Sequence, residues 1–139
     1  MIRKAAEADR ASLAKLWGNH SEEELSAEIS GPLLLTGTAF FLAEEDGQPV
    51  GFAQCQLRHD YVKGTDSSPA GYLEGIFTEE AFRRKGIAAA LLVRCESWAK
   101  EKGCTEFASD CELLNEASIR FHKALDFSEA NRIVCFRKE

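Results

Sequence analysis

Apolar positions in this chain change their period repeatedly, and each change marks an element. Residues 2–5, with Ile2 and Ala5, read as a short first strand. Over 9–17, Leu13, Leu16 and Trp17 fall on one side at helical spacing. Ser21-Glu22-Glu23-Glu24 has the form of a capping box, so a second helix carrying Leu25 and Ile29 should follow and stop near Gly31-Pro32. Residues 38–44 are aromatic and apolar, Glu45-Asp46-Gly47-Gln48 is a hairpin turn signal, and 50–57 reads as the returning strand. A polar loop over 59–69 is long for a chain of this size, and long loops often carry function. Residues 72–78 form the next strand. Ile87, Leu91, Leu92, Cys95, Trp98 and Ala99 then make one face of a helix that should end near Gly103. Residues 105–109 predict a strand, 115–125 a helix with Ala117, Phe121 and Leu125 on one face, and 132–136 a final strand.

The predicted order is β-α-α-β-β-β-α-β-α-β. A strand, a helix and a strand imply a parallel pair, whereas the hairpin is antiparallel. The sheet is therefore mixed, and the fold is α/β or α+β with helices packed on one layer of strands. Neither a repeat nor a linker divides the 139 residues, so a single domain over 1–139 is expected. With 45% hydrophobic residues, a core can be filled.

Charge and cysteine content narrow the function. A net charge of −6 argues against general nucleic-acid binding and suits a cationic partner. No apolar run approaches a membrane span and the N-terminus turns polar at once, so neither a membrane nor a secretory role is expected. Cys55, Cys95, Cys104, Cys111 and Cys135 are an odd, scattered set without a Cys-x-x-Cys pair. They read as reduced thiols of a cytoplasmic protein, with Cys111 beside Asp110 the best placed for a catalytic role. No metal site is expected.

The densest chemistry lies in Arg83-Arg84-Lys85-Gly86-Ile87-Ala88, between a predicted strand and a predicted helix. Free N–H groups at a helix N-terminus, with the positive end of its dipole, attract a phosphorylated ligand. Gly86 would admit it close to the backbone, and Ala88 would leave room. The turn lacks the Lys-Ser/Thr of a P-loop and the spacing of a dinucleotide fingerprint. An ordinary solvated loop is the plain alternative.

Arg83-x-x-Gly86-x-Ala88 resembles the acetyl-CoA pyrophosphate turn of the GNAT superfamily of N-acetyltransferases. Asn115-Glu116-Ala117-Ser118-Ile119-Arg120-Phe121-His122-Lys123-Ala124-Leu125-Asp126-Phe127 resembles the last helix of that superfamily. Four further strings are similar to the short, dimeric branch of bacterial aminoglycoside 6′-N-acetyltransferases. They are Leu16-Trp17-Gly18-Asn19-His20, Asp60-Tyr61-Val62-Lys63-Gly64-Thr65, Pro69-Ala70-Gly71-Tyr72-Leu73-Glu74-Gly75-Ile76-Phe77 and Cys104-Thr105-Glu106-Phe107-Ala108-Ser109-Asp110.

The resemblance implies the GNAT fold: a mixed, mostly antiparallel sheet with a central splayed parallel pair, flanked by four helices. It implies acetyl-CoA as co-substrate, no metal, a polycationic aminoglycoside as acceptor, and a homodimer with possible exchange of the C-terminal strand. Carried onto this chain, Arg83, Arg84, Lys85, Gly86, Ile87 and Ala88 would hold the pyrophosphate. Ile76, Phe77 and Thr78 would pair with the pantetheine arm as an added strand, and the Ile76 N–H would face the thioester oxygen. Glu74, expected on the same strand face as Ile76, would bind the substrate ammonium and accept its proton. A structural ion pair is the alternative for Glu74.

Asp110 would join Glu74 on the polycation, or cap a following turn. Asn115 would contact pantetheine, cap the last helix, or both. His122 stands where many superfamily members have a tyrosine acid, and a packing role is equally open. Trp17, His20 and Tyr61 match positions that contact the aminoglycoside, with core packing the alternative for Trp17. Two departures stand out. Asp126 replaces the usual glycine after the last helix, and Asn131 stands where the family carries an acidic residue that touches substrate. Remaining alternatives are the same fold acting on another polyamine or a protein N-terminus, and a silent CoA-sensing module.

Overall fold

The computed structural model describes residues 1–16 and 37–139. Strand β1 (Ile2–Lys4) leads through a 3-10 turn into helix α1 (Arg10–Leu16). Strands β2 (Thr38–Glu45), β3 (Gln48–Arg58) and β4 (Ala70–Thr78) follow, then helix α2 (Ile87–Glu101), strand β5 (Phe107–Ser109) and helix α3 (Glu116–Ala124). The expected second helix at Ser21–Pro32, with Trp17 and His20, lies outside the described residues, so three of the four expected helices are seen here.

The sheet order is β1-β2-β3-β4-β5, antiparallel except for the parallel β4–β5 pair. The β2–β3 hairpin turns at Asp46 and Gly47, which both have positive φ, as a two-residue turn that matches strand twist demands. Both sheet faces are covered. Ala39, Phe41 and Ala43 of β2 point to α2, where Leu91, Leu92, Cys95 and Trp98 meet them. Phe40 and Leu42 point to α1, against Leu13, Ala14 and Leu16. Strand alternation thus feeds two cores, which is why 38–44 shows almost no polar residue.

Gly71 lets the parallel pair form under α2. A Cβ there would fall 2.6 Å from a Phe107 ring carbon and 2.7 Å from the Ala99 Cβ. No side chain larger than hydrogen fits without moving β5.

One expected strand is corrected. Residues 132–136 pair with nothing among the described residues, and Ile133, Val134 and Phe136 are 61%, 73% and 91% exposed. The apolar run Ile133-Val134-Cys135-Phe136 is real, but a strand exists only with a partner edge. In consequence the parallel pair stands at the edge of this sheet and not at its centre.

Candidate active site

Strands β4 and β5 run together only briefly, through Gly71–Phe107, Tyr72–Ala108 and Leu73–Ser109. Beyond Leu73, β4 continues to Thr78 with its β5-side edge unpaired among the described residues. An uncovered edge of backbone donors and acceptors accepts an extended ligand as an added strand. Ile76, Phe77 and Thr78 lie along it.

Glu74 is a bulge. Gly75 pairs with Gln54 and Leu73 with Cys55, so Glu74 has no partner on β3. An extra residue reverses the alternation that follows it. Leu73 and Ile76 both pack toward α2, while Phe77 packs with Phe52 on the α1 side. The expectation that Glu74 and Ile76 share a face is therefore overturned. The Glu74 carboxylate instead joins Tyr72 on the opposite face, through Arg58.

That face carries a connected set of groups. Arg58 Nη2 donates to Glu74 Oε1 at 2.6 Å, and the guanidinium carbon lies 3.8 Å from the centre of the Tyr72 ring. The Asp110 carboxylate lies near the Tyr72 phenol, and burial followed by this neighbour pushes the pKa of the phenol up. Asp110 follows Ser109 at the carboxyl end of β5, as expected, so both carboxylates converge on one face. Arg58 and Tyr72 were missed by sequence reasoning; the signal available was their place in strands that flank Glu74.

The turn after β4 has the anticipated form. Arg84 and Gly86 have φ of 65° and 80°, and Gly86 is the N-cap of α2 with no side chain to cap its first amides. A Cβ on Gly86 would meet nothing within 4 Å, so the space in front of the turn is open. Arg83 turns back, its Nε donating to the Thr78 carbonyl at 2.8 Å, which braces the turn against β4. Lys85 lies 5.1 Å from the Phe82 ring. A cavity of about 620 Å³ touches Lys85, Gly86 and Ile87, but its other walls are β1, β2 and α2, away from Glu74 and Asp110. Ala88 is in the first turn of α2.

At the other side of the β4–β5 divergence, Asn115 caps α3, its Oδ1 accepting from the Ser118 N–H at 3.0 Å. His122 Nδ1 lies 2.7 Å from the Ser118 carbonyl oxygen, which can only accept, so Nδ1 carries a proton. Nε2 then faces the Ser109 hydroxyl at 2.8 Å. The ring also stands edge-on to Phe127 at 5.1 Å, so His122 has both a packing and a polar role. Ser109 was not among the residues singled out from sequence.

Tyr61 is 76% exposed, which excludes core packing, and Lys63 lies 6.0 Å from its ring. Its loop is anchored by buried Val62 and Thr65 and by Glu106, which accepts from the Asp66 N–H at 2.8 Å and the Ser67 hydroxyl. Asn131 is exposed in the C-terminal segment. All five cysteines are free; Cys55, Cys95 and Cys104 are buried, while Cys111 and Cys135 are exposed. Among the described residues no cluster of His, Cys, Asp or Glu could hold a metal ion.

An open glycine turn with uncapped amides, running into a strand with one free edge, fits a pyrophosphate joined to an extended amide-bearing arm, which is the chemistry of CoA. Residues 4–127 match the model of the acetyltransferase (GNAT) family, and the chain belongs to that family. More narrowly, it is similar to aminoglycoside N(6′)-acetyltransferase type 1 of Serratia marcescens, at 46% identity over 88% of this chain and 85% of the relative. The crystal structure of an aminoglycoside antibiotic 6′-N-acetyltransferase from Acinetobacter haemolyticus superposes with a TM-score of 0.94 at 37% identity, covering 100% of this chain and 98% of that one. AAC(6′)-Iy in complex with the bisubstrate analogue CoA-S-monomethyl-acetylneamine superposes with a TM-score of 0.93 at 37% identity, covering 100% and 97%.

Proposed function

We infer that this chain transfers the acetyl group of acetyl-CoA to the 6′-amino group of aminoglycosides, by direct attack of the amine in a ternary complex. The observation that carries the reading is the uncovered edge of β4, with the Gly86 turn at its end and two carboxylates, Glu74 and Asp110, at its start. Similarity to enzymes of that name over nearly the whole chain supports the acceptor.

Acetyl-CoA supplies an activated acetyl thioester. The chain supplies the rest. The first amides of α2, with Arg84, Lys85, Gly86, Ile87 and Ala88, bind the pyrophosphate, and Arg83 holds their turn in place. Backbone groups of Ile76, Phe77 and Thr78 align the pantetheine arm, with Asn115 closing its far side. The Ile76 N–H stabilises the oxygen that becomes negative as the amine attacks. Glu74 takes the proton that the amine loses, and Asp110, Tyr61, Trp17, His20 and Asn131 hold the remainder of the polycation. The departing thiolate is protonated by the Ser109 hydroxyl. His122, when charged, donates from Nε2 to Ser109 and from Nδ1 to the Ser118 carbonyl, so the serine proton is replaced as it leaves.

The active species is a homodimer. The continuous apolar run Ile133, Val134, Cys135 and Phe136 is exposed, and the outer edge of β5 is unpaired among the described residues, which suits strand exchange between copies. Light scattering should give twice the chain mass, falling to one on deletion of 132–139. Free thiols suit the reducing cytoplasm, and no helix among the described residues is long and apolar enough to cross a membrane.

The test of the function is release of free thiol from acetyl-CoA with kanamycin-type compounds that bear a 6′-amine, against matched 6′-hydroxyl analogues. Turnover only with the amines is expected. Equal turnover of both would defeat the regiochemistry, and turnover only with other polyamines would reassign the acceptor.

A further inference from the structure

A cation already sits in the amine-binding place. Arg58, the last residue of β3, lies over the Tyr72 ring at 3.8 Å and donates one hydrogen bond to Glu74. Asp110, near the Tyr72 phenol, adds a second negative charge close to Arg58. A flat aromatic face with two carboxylates is the recognition chemistry of an ammonium group.

The way Arg58 is held matters. Arg3, elsewhere in this chain, uses its whole fork: two bonds to Asp9 at 2.8 Å and one to Glu44 at 2.7 Å. That is how a permanent arginine strut is built. Among the described residues Arg58 makes one hydrogen bond, through Nη2, and its Nε is buried with no hydrogen-bond partner there. Its side chain remains 38% exposed, so a path to solvent exists. Glu74 in turn is 24% exposed, and Arg58 is its ion-pair partner among the described residues.

We propose that Arg58 is a displaceable internal cation, which occupies the ammonium subsite of Tyr72, Glu74 and Asp110 until a substrate amine exchanges for it. The proposal rests on Glu74 being the amine-binding carboxylate. Exchange of one cation for another leaves the charge of the site unchanged. It frees Glu74 to receive the proton of the amine, which it cannot do while guanidinium occupies it. It also sets which amines occupy the site, because every amine meets the same cost of removing Arg58. A polycation has further ammonium groups to bind elsewhere and stays bound despite that cost. A monoamine has none and is held below occupancy, so Arg58 keeps small cellular amines out of the site.

The test compares binding of kanamycin and of singly charged 6-amino-6-deoxyglucose by calorimetry without acetyl-CoA, in wild type, Arg58→Gln and Arg58→Lys, with melting curves as a folding check. Arg58→Gln should bind both ligands about tenfold or more tighter than wild type, because both must displace the same cation. Arg58→Lys should restore the weaker binding of both. Unchanged or weaker binding of both ligands in Arg58→Gln would show that Arg58 is a fixed strut and overturn the proposal. The outcomes separate from those for the acceptor. Kanamycin acetylated with no gain for the monoamine defeats the displaceable cation alone. A gain for the monoamine with no aminoglycoside acetylated defeats the acceptor alone.

Discussion

The Ser109 hydroxyl and Nε2 of His122 lie 2.8 Å apart, joining the end of β5 to α3 where β4 and β5 part. The pair is oriented from behind, because Nδ1 is tied to the Ser118 carbonyl at 2.7 Å and the Ser118 N–H is tied to Asn115. Residues that move one proton as a unit are not additive. Ser109→Ala and His122→Gln should each lower kcat by about 10²-fold, and the double variant should lose little more than either. Steady-state kinetics with saturating acetyl-CoA would show it. Unchanged kcat in Ser109→Ala would remove the relay and leave His122 as a packing residue.

Glu74→Gln should lower kcat by about 10²-fold or more while leaving the affinity for acetyl-CoA near that of wild type. Steady-state kinetics at one pH, with acetyl-CoA titrated, is the check. Unchanged kcat would assign the base elsewhere.

Asp126 ends α3 with φ of 68°, while the Phe127 N–H bonds the His122 carbonyl at 3.0 Å. This is a left-handed helix end, where a side chain costs about 1–2 kcal/mol and glycine costs about 0.5–1 in chain entropy. Asp126→Gly should therefore stabilise the fold by up to about 1 kcal/mol, raising the denaturant midpoint with the slope unchanged. A lower midpoint would mean that the aspartate side chain has a stabilising role.

Much of the fold is legible in the sequence because each element has a periodic face or a turn residue. The Asp46-Gly47 hairpin and the helix behind Gly86 follow from local chemistry. The last strand fails for a related reason: Ile133, Val134, Cys135 and Phe136 form an apolar run of strand length, but pairing depends on an edge that local pattern does not reveal. The site shows the same divide. Glu74 and Asp110 stand out as carboxylates at strand positions. The bulge that turns Glu74 away from Ile76 depends on how β3 and β4 register, and so does the meeting of Glu74 with Arg58. Ser109 is an unremarked serine until α3 brings His122 to it.

The Ser67 hydroxyl, then the Asp66 N–H, hold the Glu106 carboxyl below its ordinary value of 4.5. A depressed carboxylate stabilises the fold fully above its unfolded pKa, and the contribution is lost as pH falls through the folded one. Anchorage of the loop that carries Tyr61 should thus be intact at neutral pH and weaken progressively as pH falls below 4.5. Glu106→Gln should be less stable than wild type at pH 7, with the gap narrowing in acid, and should raise KM for the aminoglycoside more than it lowers kcat. Denaturant titrations at several pH values would show this. A gap that does not narrow as pH falls below 4.5 would contradict the assignment.

The most direct test of the function is the structure of the product. Kanamycin incubated with acetyl-CoA and the enzyme, then examined by mass spectrometry and two-dimensional NMR, should carry one acetyl group, on the 6′ nitrogen. Acetylation of another nitrogen, of an oxygen, or of nothing at all would contradict a site in which Glu74 and Asp110 present a 6′-amine to the edge of β4.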